Sequence, residues 1–354
     1  MIFLTFFALP LLFSIILHFQ SEHKFTMKEF LVQNLVVASL IGTGIATSIC
    51  NRTADTEILN GYVTDKTRDR VSCSHSYKCM CYTTCSGSGN SRSCTEHCST
   101  CYDHSYDIDW NVRSTIGKFK INRIDRQGLK KPSRWDIVKI GEPVSRQHSY
   151  TNYIKGSPES IFNNYKTLND KEKKLLPKYP GAISDYYHHF KVLDWDIADV
   201  NYLRLNHLLN LSNSKLGNQY QVNMLVVFAG SHPEDDFFKL EKAWLGGKKN
   251  DAILVIGGES KPEWVRVMAW TLNNTFQVKL RDDILELPRF DEEAIDSIFA
   301  SAIREYYVRK PMKDFEYLKD MVQPSLTAFI VIGILTLVST IGLSVYFYKN
   351  DPFD

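Results

Sequence analysis

YQVNMLVVFAG (220–230) and DAILVIGG (251–258) decide the fold class of this 354-residue chain. Each is a short unbroken apolar run, the composition of a strand buried on both faces. Between them, HPEDDFFKLEKAWLGG (232–247) reads as a helix whose acidic start suits the helix dipole. Strand, helix, strand in that order implies a right-handed crossover and a parallel pair. EWVRVMAWTL (263–272) alternates like a third strand, and FDEEAIDSIFASAIREYYV (290–308) is a long amphipathic helix. Upstream, Val200, Leu203, Leu205, Leu208 and Leu209 take helical spacing, with Gly217 placed to stop that helix. Residues 194–322 are therefore expected to form an α/β domain of two or three layers.

Hydropathy frames that domain. LTAFIVIGILTLVSTIGLSVYFY (326–348) is uncharged and long enough to cross a hydrocarbon core of about 30 Å at about 1.5 Å per residue. LVQNLVVASLIGTGIATSI (31–49) is a second expected span. MIFLTFFALPLLFSIILHF (1–19) is a third candidate, because it lacks the basic start and small-residue cleavage site of a secretory signal. Translation from Met27 would leave it outside the mature chain. Residues 1–49 thus hold the N-terminal membrane segments and 349–354 are a short tail. Lys24, Lys28 and Lys349 lie beside the spans on one side, which places them in the cytoplasm and residues 50–325 outside it. Arg52, Lys66, Arg68, Lys310, Lys313 and Lys319 flank the other side, where charges in a long translocated domain count for less.

The segment CSHSYKCMCYTTCSGSGNSRSCTEHCSTCYDH (73–104) holds seven of the eight cysteines. Cys73, His75, Cys79, Cys81 and Cys85, then Cys94, Cys98, Cys101 and His104, interleave thiol and imidazole at spacings that suit tetrahedral zinc. These nine are enough for two four-ligand sites. Disulfides are the rival, favoured by an extracytoplasmic setting and by an even cysteine count that includes Cys50. Adjacent Cys79 and Cys81 rarely bond to each other, so each needs a distant partner or a shared metal. Either way the segment is expected to be a staple. YDIDWNVRS (106–114) and IGKFKINRID (116–125) alternate as strands of a small antiparallel sheet, with WDIVKIGEPV (135–144) as a further strand. This Cys/His-rich module spans 50–150. Residues 151–193 show no lasting period and read as a linker, and His188-His189 within it point to opposite faces on a strand.

The helix ending in Trp244-x-Gly246-Gly247-Lys248-Lys249-Asn250-Asp251, the strand Ala252 to Ile256, the acidic step Asp282-Asp283 and the late helix with Ala294, Ala302 and Ile303 resemble the TPM-domain family. That family is named for thylakoid-lumen, photosystem-repair and receptor-modulating members, and the resemblance covers about residues 195–320. It implies a membrane-tethered, extracytoplasmic α/β domain that assists assembly of membrane complexes or acts as a phosphatase. The stretch MAWTLNNTF departs from the glycine-rich turn of that pattern, so no catalytic residue is carried over.

A net charge of +2 gives no basic surface for nucleic acid. No Ser/His/Asp order, P-loop, HExxH or dinucleotide fingerprint is present. The Gly246-Gly247-Lys248-Lys249 turn reads as a helix C-cap with solvated lysines, its alternative being an anion site. Asp235, Asp236, Asp282 and Asp283 form two acidic pairs that calcium or a hydrolase could use. The expectation is a membrane-anchored protein of the α/β class. The bilayer and a membrane or envelope protein are its partners, and a membrane-tethered phosphatase is the alternative.

Overall fold

The computed structural model describes residues 26–87, 93–158, 160, 168–180 and 190–350, with five isolated positions among the first sixteen. The expected span at 1–19, those five positions apart, and the His188-His189 pair lie outside the described residues. In chain order come helix α1 (Met27–Thr53) and strands β1 (Ala54–Val71), β2 (Ser76–Ser86), β3 (Ser93–Tyr102), β4 (Asp107–Ser114), β5 (Gly117–Ile121) and β6 (Pro143–Thr151). Strand β7 (Val192–Asp194), helix α2 (Tyr202–Tyr220), strand β8 (Asn223–Gly230), helix α3 (Asp236–Ala243) and strands β9 (Asp251–Gly257) and β10 (Trp264–Ala269) follow. Helices α4 (Thr275–Leu285), α5 (Glu292–Tyr306) and α6 (Leu326–Asn350) complete the chain. It divides into two units, one made of residues 57–148 and 170–310 and the other of 1–56, 149–169 and 311–354.

In the first unit, β7, β8 and β9 are parallel and β10 joins β9 antiparallel, giving the order β10-β9-β8-β7. All eight residues of β8 and all seven of β9 are buried, so both faces must be covered. Met224, Val226, Phe228, Leu254 and Ile256 pack on one face with Leu205 and Leu209 of α2, Phe276 and Leu280 of α4 and Ile295 and Phe299 of α5. Leu225, Val227, Ile253 and Val255 pack on the other with Phe237 and Leu240 of α3. The result is three layers, as the alternation of strand and helix demands.

Several boundaries differ from expectation for identifiable reasons. Helix α2 runs through Gly217 to Tyr220 and ends on Gln221 in the left-handed region. Gly217 serves close packing, since a Cβ there would lie 2.6 Å from that of Asn60. Helix α3 is shorter than 232–247 because Pro233 sits in the turn before it and Leu245, Gly246 and Gly247 take positive φ after it. Residues 135–144 are not a strand: Ser133–Ile137 form a helical turn and β6 begins only at Pro143. The lysines of the glycine turn are not solvated, because Lys249 pairs with buried Glu57 at 2.8 Å and Lys248 lies over the Tyr179 ring.

The same unit holds an antiparallel sheet of order β5-β4-β1-β6 around Val63, Ile108, Trp110, Val112 and Val144. Trp110 and Trp135 meet edge to face within that core, 5.0 Å between ring centroids. Polar groups join this sheet to the α/β layers. Asn60 of β1 donates to Asn213 of α2 and Asn223 of β8, and its Oδ1 accepts from Ser145 and from Lys191. Lys191 is fully buried and also donates to Asn223 Oδ1 at 2.6 Å. Asn223 in turn donates to buried Asp251 at 2.8 Å. Burial pushes the Lys191 ammonium down to about 7, against the pull of Asp251, and pushes the Asp251 carboxyl up.

In the second unit α1 and α6 lie antiparallel. Thr26 caps α1 in a reciprocal box with Glu29. Gln33 Nε2 donates to Thr340 O at 3.3 Å and Ser344 Oγ at 3.2 Å, while the Ser325 N–H donates to Ser48 at 3.3 Å near the other end. The helices approach closely at Gly44, where a Cβ would lie 2.7 Å from the Ile332 side chain. Only 17% and 22% of their most apolar windows are buried. Gln33, Thr336, Thr340 and Ser344 face inward, while Leu31, Leu35, Ile330, Ile334, Leu337, Val338 and Ile341 face out. Both helices are long and apolar enough to cross a membrane.

Candidate metal centre

Strands β2 and β3 form a hairpin of their own. Every residue in them is exposed except half-buried Cys79, Cys98 and Cys101. A two-stranded ribbon with no core is marginal in water. Here three cross-strand disulfides hold it: Cys79–Cys101, Cys81–Cys98 and Cys85–Cys94. The register accounts for the pairing. Cys85 stands opposite Cys94, and four residues back along β2 and on along β3 Cys81 lies beside Cys98 on the same face. Between Cys79 and Tyr82 the ladder shifts by a bulge, with Met80 at φ 48°. That extra residue turns Cys79 to the opposite face, where Cys101 lies. Cys79 and Cys81 thus find distant partners.

Six of the nine residues expected as zinc ligands are therefore joined to one another, and a sulfur in a disulfide offers no thiolate. The other three, Cys73, His75 and His104, meet at the foot of the hairpin together with Asp107. Cys73 and His75 lie where the chain leaves β1 for β2. His104 lies where it returns from β3, and Asp107 opens β4 opposite Val71 of β1. The Asp103 N–H donates to His75 O at 3.1 Å and closes the foot. One donor atom from each of the four falls within 4.8 Å of every other. His104 Nδ1 is 3.7 Å from Cys73 Sγ and 3.4 Å from Asp107 Oδ1, and His75 Nδ1 is 3.8 Å from Asp107 Oδ2.

Asp107 is the anchor of this group. Its side chain is fully buried while His75 and His104 keep 33% and 26% of theirs exposed, so the imidazoles face solvent and the carboxylate does not. Its Oδ2 accepts from the Ser74 N–H at 3.0 Å, the Ser74 hydroxyl at 3.1 Å and Arg123 Nη1 at 2.6 Å. These bonds, the Ser74 amide foremost, hold the carboxyl well below the usual range despite burial. Its Oδ1 makes no hydrogen bond among the described residues. Arg123 also engages Asp109 at 2.6 Å, which fixes the guanidinium. His75 borders an open polar cleft with Ser74, Lys120, Asn122 and Arg123.

Among the described residues a second group, Cys81, Glu96 and Cys98, is also close, but both its sulfurs form one disulfide. Of the acidic residues offered to a hydrolase, Asp235 is the N-cap residue of α3, and Asp236, Asp282 and Asp283 on α3 and α4 are tied locally. Asp236 pairs with His232 at 3.0 Å and Lys239 at 2.6 Å, Asp282 with Arg281 at 2.8 Å and Asp283 with Lys279 at 3.3 Å. Asp107 and Arg123 escaped the sequence reading. The signal was present, since Asp107 stands three residues after His104, but it lay inside a stretch whose alternation had marked it as strand. No family model, curated protein or solved structure matches the chain.

Proposed function

We propose that this is a membrane-anchored interaction protein, held by the α1–α6 pair, whose extracytoplasmic part docks on another membrane or envelope component through the disulfide hairpin. The hairpin carries the reading. Three disulfides stiffen an element that buries almost nothing of its own, and on it Tyr77, Met80, Tyr82 and Tyr102 are 52–81% exposed. Large amphipathic side chains displayed on a pre-stiffened ribbon bind with little loss of conformational freedom. The Tyr82 ring stacks on His97, 5.4 Å between centroids, which holds it in place for contact.

The broad apolar surface that α1 and α6 turn outward, with Gln33, Thr336, Thr340 and Ser344 sheltered beside Val37, Ile41 and Ile332, supports anchoring in lipid. The disulfides support an oxidising, extracytoplasmic setting. The TPM-like reading of residues 195–320 fits the three-layer sheet and supports a role in assembly. A hydrolase has no observation in its favour, given the local pairing of Asp236, Asp282 and Asp283. Zinc, expected across nine residues, narrows to the foot of the hairpin.

Site-specific photo-crosslinking in the native membrane tests docking. A crosslinker at Met80 or Tyr102 is expected to give one discrete adduct that disappears in a Tyr77→Ser/Tyr82→Ser variant. A crosslinker at exposed Leu129, away from the hairpin, is expected to give none. Equal labelling from all three positions, or no adduct from the hairpin, sinks the reading.

A further inference from the structure

Two features at the foot of the hairpin are unexplained by docking. Asp107 Oδ1 is buried and forms no hydrogen bond among the described residues, with His104 Nδ1 3.4 Å away, although its sister oxygen receives three. A buried carboxylate oxygen left unsatisfied is costly unless something else meets it. The second feature is Cys73, buried and outside every disulfide, whose Sγ accepts the His75 N–H at 3.4 Å. Amide hydrogen bonds to sulfur are among the outer-sphere contacts that tune metal-bound thiolates.

The spacing fits one ion. A tetrahedral zinc with bonds of about 2.0–2.3 Å sets its ligand atoms about 3.3–3.8 Å apart. His104 Nδ1 lies 3.4 Å from Asp107 Oδ1 and 3.7 Å from Cys73 Sγ, and His75 offers its donor within 4.8 Å of the other three. Ion pairing alone does not account for this, because Asp107 already has Arg123 as its cation and a plain salt bridge has no use for a thiol. The donor chemistry also selects the ion: one thiolate and two imidazoles suit zinc, whereas calcium and magnesium take oxygen.

We infer that Cys73, His75, His104 and Asp107 bind one zinc ion per chain, tying the two feet of the hairpin to the start of β4. Asp107 binds through Oδ1, its orientation set by Ser74 and Arg123 on Oδ2. All four positions are filled by protein, so the ion is structural and fixes the direction in which the hairpin leaves the sheet. The assignment also separates the cysteines by chemistry: six in disulfides, Cys73 as a thiolate, and Cys50 as an exposed thiol on α1.

The test uses the full chain in detergent, stripped of metal with a chelator and titrated with cobalt(II). One cobalt per chain is expected, with the visible bands of a tetrahedral ion and a thiolate charge-transfer band, all displaced by zinc. Cys73→Ser should abolish the charge-transfer band. His104→Ala should weaken affinity by at least the about 10–100-fold that loss of an outer-sphere partner costs. Cys50→Ser should change neither. Because a ligand variant can misfold, thiol alkylation of the wild-type chain gives a separate reading: zinc should protect one of two free thiols, located to Cys73 by peptide mass. No cobalt bands in the wild type, a charge-transfer band that survives Cys73→Ser, or a Cys50–Cys73 disulfide peptide would each overturn the assignment.

Discussion

Replacing Lys191 by methionine probes the buried polar junction between the two sheets. The swap leaves no orphaned acceptor, since Asn60 Oδ1 keeps Ser145 at 2.8 Å and Asn223 Oδ1 keeps Asn60 Nδ2 at 3.0 Å. It removes a charge whose burial is unfavourable, and its benefit is expected to be largest at pH 6, where the folded lysine still holds its proton. The sign of the pH dependence follows from the depressed ammonium. The unfolded lysine keeps its proton to about 10.5 and the folded one releases it near 7. Between those values the unfolded state binds more protons, so this group makes wild-type stability rise with pH. The advantage of Lys191→Met should therefore shrink from pH 7 to pH 10. Asp251 acts in the opposite sense, because its raised carboxyl makes stability fall as pH rises above the ordinary carboxylate value. Urea unfolding of both proteins at pH 6 and pH 9.5 measures the gap, and parallel profiles would refute the account. None of this was legible beforehand. Lys191 sits in a tract without periodicity, and its partners come from residues 60 and 223, so only the assembled fold reveals it.

Among the elements, those that were legible carry their own apolar content. β8, β9, α5 and α6 announce themselves as runs or stripes, and each is found within a few residues of its expected bounds. β1 does not. Its inner half buries Asp55, Glu57 and Asn60, and its outer half, DKTRDR, is held by pairing with β4 rather than by hydrophobic contact. A strand stabilised by its neighbours leaves no periodic trace in its own sequence. The hairpin gives a prediction of the opposite kind. Its disulfides close separations of 22, 17 and 9 residues within an element that shares no core. Reduction is expected to expose Lys78 and Tyr82 to trypsin and chymotrypsin, while the cooperative melting of the α/β layers shifts by no more than a few degrees. Loss of that transition on reduction would show that the hairpin is needed for the whole fold. In the helix pair, Gln33→Leu removes the hydrogen bonds with Thr340 and Ser344 of α6 and is expected to weaken association by about 0.5–2 kcal/mol in lipid. The measurement is the detergent midpoint for separating dyes placed on α1 and α6.

For the molecule as a whole, the antiparallel pair puts Met27 and Asn350 at one end and Thr53 and Leu326 at the other. In a bilayer the chain therefore leaves and re-enters on the same side. In sealed, right-side-out vesicles an added protease should digest residues 54–325 and spare a tag after Asn350, and protection of the folded region would reverse the orientation. The pairing has a corollary for proteolysis: with both helices embedded in a bilayer, a single cut between Thr53 and Leu326 would release no diffusible fragment, since each half would keep its own anchor.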